Sequence, residues 1–104
     1  MQRIVFKVKL LKGYEDEYKK RHDEIWPDPK ELLKQTGIKD YSIFLDGETN
    51  TLFAYLTIYD GKKLEALPDQ PIMKKWWSYM KDMMETNEDN SPVAIPLKEV
   101  FYLK

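Results

Sequence analysis

The chain reads as an α+β protein, and three observations predict it. Segments patterned like strands and helices follow one another in the order β-α-β-β-α-β. The strands carry large apolar side chains at alternating positions, whereas the helical segments carry theirs at spacings of three and four. No repeat, low-complexity run or linker intervenes, so the 104 residues form one domain spanning 1–104.

Each element has a local cause. Ile4 to Leu11 mixes branched and aromatic residues with lysines and predicts the first strand. Gly13 marks the start of a helix near Tyr14, with acids in its first turn and bases later, as the helix dipole favours. Pro27 ends or kinks that helix, because the residue before a proline avoids the α region. A second helical piece follows, with Asp28 as N-cap, Pro29 at the first helical position, Glu31 completing a box-like pairing and Gly37 as the stop. Tyr41–Leu45 and Leu52–Tyr59 predict two strands, joined by the turn chemistry of Asp46-Gly47-Glu48-Thr49-Asn50. Lys62 to Met84 is helical with a break around Pro68 and Pro71, and its second part carries the stripe Met73, Trp76, Trp77, Met80, Met84. Thr86 to Pro96 reads as a polar loop and Glu99 to Leu103 as the last strand. This order is the ferredoxin-like pattern, an antiparallel sheet with its helices on one face.

Alternation then predicts association. Leu52, Ala54, Leu56 and Ile58 share one face of the third strand, and Phe53, Tyr55 and Tyr59 the other. In the second strand Tyr41, Ile43 and Leu45 oppose Phe44. Helices cover only one face, and burial is worth roughly 25 cal/mol per Å², so the second aromatic face predicts a symmetric homodimer packed sheet to sheet. Lys7 and Lys9 make the first strand's share of that face mixed.

Composition excludes several functions. A formal net charge of −1 and a pI near 5.8 give no bulk attraction for nucleic acid or anionic lipid. Glu15-Asp16-Glu17 followed by Lys19-Lys20-Arg21 reads as a solvated helix surface. The chain has no cysteine, which rules out disulfides, thiolate catalysis and cysteine-based metal sites. One histidine disfavours a zinc or iron site. The N-terminus alternates like a strand, and no apolar run approaches the ~20 residues of a membrane span. The expectation is a cytoplasmic protein that binds neither nucleic acid nor membrane.

The single histidine lies in Arg21-His22-Asp23-Glu24-Ile25-Trp26-Pro27. Its unperturbed pKa of about 6.5 lets it give and take a proton near neutrality. Tyr18 stands four residues before it and Trp26 four after, so a helix puts all three on roughly one face. Tyr14 lies one turn further back on that face. An acid–base group between a hydroxyl and an apolar ring suits a small polar ligand, and equally suits a buried structural cluster. Asp23 and Glu24 point away from it. Trp76 and Trp77 diverge by about 100° around their helix. Either one packs with Met73, Met80 and Met84 while the other edges a pocket, or both are plain core residues, which such a stripe by itself favours. Tyr41 faces either the helix-covered core or the opposite side of the sheet.

Four blocks together carry a resemblance: Arg21-His22-Asp23-Glu24-Ile25-Trp26-Pro27, Trp76-Trp77 with Tyr79-Met80, Asp89-Asn90-Ser91-Pro92, and Glu99-Val100-Phe101-Tyr102-Leu103. In this order, over essentially the whole chain, they resemble the L-rhamnose mutarotase family. The resemblance implies a dimeric α/β-barrel of ferredoxin-like protomers that interconverts the α and β anomers of L-rhamnose with no metal and no organic cofactor. It implies that His22 is the general acid and that Tyr18, Tyr41, Trp76 and Trp77 contact the sugar. Asp28-Pro29 departs from the Glu-Leu commoner in the family, and the loop before Asp89 diverges. Neither change touches a matched site residue, but both can alter a pocket wall or lid and so sugar preference. Asp89-Asn90-Ser91-Pro92 suits either a lid or a turn with polar contacts.

Two other readings fit the same pattern. Ferredoxin-like dimeric barrels can host small monooxygenases or other isomerases, because fold does not fix function; haem or metal in the purified protein distinguishes that branch. A non-catalytic dimeric module that binds a sugar or other small metabolite predicts affinity without turnover.

Overall fold

Strand alternation decides the layering. The structure, a computed structural model, describes residues 1–104. Its elements are β1 (Gln2–Lys9), α1 (Glu15–Asp23), α2 (Pro27–Gln35), β2 (Ile38–Asp46), β3 (Thr51–Ile58), a 3-10 segment (Gly61–Asp69), α3 (Pro71–Met80), a 3-10 turn (Lys81–Met83) and β4 (Ile95–Leu97). The strands pair antiparallel in the order β2-β3-β1-β4. Leu52, Ala54, Leu56 and Ile58 of β3 are all buried. Register places Val8, Phe6 and Ile4 of β1 and Leu45, Ile43 and Tyr41 of β2 beside Leu52, Ala54 and Leu56 on the same face. The helices cover this face, so Tyr41 lies on the helix side of the sheet.

The α3 stripe closes the core. Met73, Trp76 and Met80 are its buried residues, spaced by three and four as one helical face requires. They pack with Val8, Leu10, Leu52, Leu67, Met83 and Met84, while Ile38, Leu56 and Ile58 form a smaller cluster. Trp77 and Tyr18 pack against the larger cluster from its edge.

Turns follow their side-chain chemistry. Between β2 and β3, Asp46 accepts from the Glu48 amide at 3.1 Å and from the Thr49 hydroxyl at 2.9 Å. Gly37 adopts φ +99° after α2, the left-handed conformation that glycine reaches without a Cβ clash. Asp89-Asn90-Ser91-Pro92 forms a closed turn: the Ser91 amide donates to Asp89 at 3.0 Å and the Asn87 amide donates to the Ser91 carbonyl at 2.8 Å.

Two expectations are corrected. Asp28 is not the N-cap of the second helix; Trp26 is, extended at φ −61°, ψ 146°, with Pro27 opening the helix. Proline fixes the residue before it outside the α region and suits the first helical position, so Pro27 takes the place expected for Pro29. The last strand is Ile95–Leu97, not Glu99–Leu103. Pro96 is tolerated there because β4 lies at the sheet edge, where a missing amide hydrogen breaks no ladder. Beyond Leu97 the tail is held by side chains. Arg3 donates to both oxygens of Glu99, at 3.1 and 2.8 Å, and lies 3.5 Å from the Tyr102 ring centroid.

The uncovered face of the sheet carries Val5, Phe44, Phe53, Tyr55, Ile95 and Leu97 beside Arg3 and Lys7. Phe44 is 66% exposed, and Val100, Phe101 and Leu103 of the tail are also open.

Candidate active site

α1 supplies the titratable centre. Glu15, Asp16 and Glu17 occupy its first turn and Lys20, Arg21 and His22 its last, the order the helix dipole favours. Tyr18 and His22 stand four residues apart and stack, with centroids 4.2 Å apart and an interplanar angle of 27°. His22 Nδ1 lies 3.1 Å from the Tyr18 carbonyl oxygen. A carbonyl only accepts, so Nδ1 carries the proton and Nε2 is left to exchange one with a ligand.

The chain then turns back on itself. α1 ends at Asp23, and the extended Trp26 ahead of Pro27 brings its indole onto α3. Trp26 meets Trp76 edge to face at 5.1 Å and stacks on Tyr79 at 4.9 Å. Trp76 meets His22 at 5.9 Å and 80°. The imidazole thus sits between the Tyr18 ring and the edge contact with Trp76.

Burial sets the electrostatics. Desolvation holds His22 below its ordinary 6.5, against the opposing pull of the Tyr18 carbonyl and the nearby Asp23 charge. Tyr18 is pushed well above the usual phenol range, first by burial and then by the neighbouring Tyr41. Burial raises Tyr41 to about 12, although 41% of the whole residue is exposed. Tyr41 is thus partly open at the surface, with its phenol within electrostatic range of Tyr18. At neutral pH the imidazole is largely neutral and both phenols are protonated donors.

The structure brings Tyr18, His22, Tyr41 and Trp76 together. Trp77, next to Trp76, packs at the edge of the core and takes no part in the stack of rings around His22. Tyr14 is the N-cap residue of α1 and also packs on the core. A groove of about 350 Å³ lies against Trp26, lined by Pro27, Asp28, Pro29, Ile72 and Lys75. None of Tyr18, His22, Tyr41 or Trp76 lines it, so it is separate from the imidazole. No group of three or more His, Asp or Glu side chains is arranged to hold a metal ion.

A family profile for L-rhamnose mutarotase matches residues 3–103. The chain belongs to the L-rhamnose mutarotase family. It is 52% identical over 104 residues to the L-rhamnose mutarotase of Formosa agariphila, covering all of both chains. It is 54% identical over 102 residues to that of Brucella anthropi, covering 98% of this chain and 96% of the relative. The crystal structure of L-rhamnose mutarotase from Formosa agariphila superposes over 100% of both chains with a TM-score of 0.92 and 51% identity. Rv0793 from Mycobacterium tuberculosis, at TM-score 0.58 and 8% identity over 98% of this chain and 97% of its own, shares the fold alone.

Sequence reasoning missed two members of this constellation. Tyr79 lies three residues after Trp76, a helical spacing that predicts a shared face. Arg21 carried no comparable signal, because its partners Tyr79 and Asp82 lie 58 and 61 residues away.

Proposed function

We propose that the chain interconverts the α and β anomers of L-rhamnose by general acid–base ring opening and closure, with His22 as proton donor and Tyr18, Tyr41, Trp76 and Trp77 as sugar contacts. One observation carries this reading within the family: a single imidazole, Nδ1 engaged by a backbone carbonyl, is held between an aromatic wall and two protonated phenols. The contact by Trp77 rests on its match to the family's motif.

The chemistry needs only placed protons. A base takes the proton from the C1 hydroxyl while an acid protonates the ring oxygen. The C1–ring oxygen bond breaks to give an aldehyde, C1 rotates, and the hydroxyl re-adds to the other face. On closure each proton returns to its donor. His22 suits this cycle because Nε2, bare in the resting neutral ring, can take a proton in one half and deliver it in the other. The desolvated phenols stay protonated and hold sugar hydroxyls. An indole presents a flat apolar surface for the sugar's C–H groups and its methyl. General acid–base help is typically worth about 10²–10⁴-fold.

The working form in this reading is a homodimer closed over the uncovered sheet face. The exposed Phe44, Ile95 and Leu97 beside Val5, Phe53 and Tyr55 support it, because contiguous apolar surface of this kind favours association. The reading places the protein in the cytoplasm, in the metabolism of L-rhamnose. No helix is long and apolar enough to cross a membrane.

Saturation transfer between the anomeric signals of equilibrated L-rhamnose tests the reading. The native chain accelerates exchange and His22→Ala abolishes the acceleration while still binding sugar. Binding by the native chain with exchange at the buffer rate would favour a non-catalytic sugar-binding module instead.

A further inference from the structure

We propose that Arg21 is the positioning residue that fixes the Trp26–Trp76 wall against His22. The proposal rests on the reading of His22 as the group that transfers the proton.

Five side chains form a closed circuit. The Arg21 guanidinium carbon lies 4.5 Å from the Tyr79 ring centroid. Tyr79 stacks on Trp26 at 4.9 Å. Trp26 meets Trp76 at 5.1 Å, and Trp76 meets His22 at 5.9 Å. His22 is the next residue after Arg21, so the α1 backbone closes the ring. A displacement of Arg21 is therefore felt at the imidazole through the backbone on one side and through three aromatic contacts on the other.

Arg21 itself is held firmly. Its side chain is 14% exposed, unlike the solvated surface its sequence neighbours suggest. Nε donates to Glu17 at 2.7 Å. Nη1 donates to the Tyr79 carbonyl at 2.7 Å and to Asp82 at 3.0 Å. These contacts join α1 to the C-terminal end of α3 and the turn after it. Only a planar fork donates in several directions at once while stacking on a ring; a lysine ammonium does not.

The test measures exchange against L-rhamnose concentration, alongside the NMR titration of His22, in the native chain, Arg21→Met, Arg21→Lys, Tyr79→Leu and the Arg21→Met/Tyr79→Leu double variant. Misplacement of a positioned wall is expected to lower kcat by roughly ten- to a hundredfold in Arg21→Met while KM changes by less than about threefold. Arg21→Lys restores little of the loss. Tyr79→Leu reproduces it, and the double variant adds nothing, as coupled sites require. The His22 midpoint moves up toward 6.5 as water reaches the ring. A plain strut gives a different result: a lower melting temperature, an unchanged kcat per folded molecule and an unmoved His22 midpoint. That result overturns the proposal. Should Arg21→Met fail to fold, Tyr79→Leu decides, because it leaves the ion pairs of Arg21 intact. Should the native chain itself fail to accelerate exchange, the functional reading falls, and the His22 titration alone decides the role of Arg21.

Discussion

His22 and Tyr18 touch twice: Nδ1 lies 3.1 Å from the Tyr18 carbonyl oxygen, and the two rings stack at 4.2 Å. One residue thus sets both the tautomer and the plane of the imidazole. Burial lowers the folded midpoint below 6.5, so the unfolded chain binds this proton first as pH falls. The stability contributed by neutral His22 is complete above 6.5 and is lost as pH falls from there through the lower folded midpoint. Imidazole NMR should find an Nδ1–H tautomer titrating below 6.5. An Nε2–H tautomer, or a midpoint at or above 6.5, contradicts this geometry.

Tyr41→Phe isolates one hydroxyl. Burial keeps that phenol protonated up to about pH 12, so in the proposed reaction it is available at neutral pH as a hydrogen-bond donor. Loss of a neutral hydrogen bond, worth about 0.5–1.5 kcal/mol, predicts an increase in KM of roughly two- to tenfold with the fold intact. The native-minus-variant absorbance difference at alkaline pH should have its midpoint near 12. A midpoint at the ordinary phenol value would show that the hydroxyl is solvated.

Leu56 and Phe44 separate folding from association. Leu56 is 1% exposed at the centre of β3, whereas Phe44 is 66% exposed on the opposite face of the sheet. Leu56→Ala should lower unfolding stability by about 2–5 kcal/mol, the usual range for such a buried deletion, measured by urea titration. Phe44→Asp should keep the native circular dichroism yet sediment as a monomer where the native chain sediments as a dimer. A native chain that sediments as a monomer would remove the sheet-to-sheet assembly from the proposal.

Arg3→Ala should free the tail without disturbing the core. Arg3 holds Glu99 through two bonds, and that partnership keeps the Glu99 carboxyl below the usual carboxylate range. The variant should lose Val100–Lys104 to carboxypeptidase faster than the native chain, at an unchanged melting temperature. Equal digestion rates would show that other contacts hold the tail.

Much of this was legible in sequence because it is periodic. The alternation of Leu52, Ala54, Leu56 and Ile58 predicted a buried face, and the i, i+4 spacing of Tyr18 and His22 put them on one side of a helix. The divergence of adjacent indoles predicted that Trp76 and Trp77 would differ, and Trp76 is the one buried at 5%. The N-cap misreading was local, at Pro27, whereas two others depended on a partner distant in sequence. Pro96 looked like a loop residue, although the edge position opposite Phe6 accommodates it. Arg21 looked solvated because nothing local announces Asp82. Spacing left Tyr41 open to either face, and its pairing with Leu56 decided the matter.

α1 contains no fully buried residue, whereas β3 buries every second one. Stability in such a molecule is uneven, and elements with few buried side chains open before those with many. Amide hydrogen exchange along α1, which carries His22, should accordingly outpace exchange along β3.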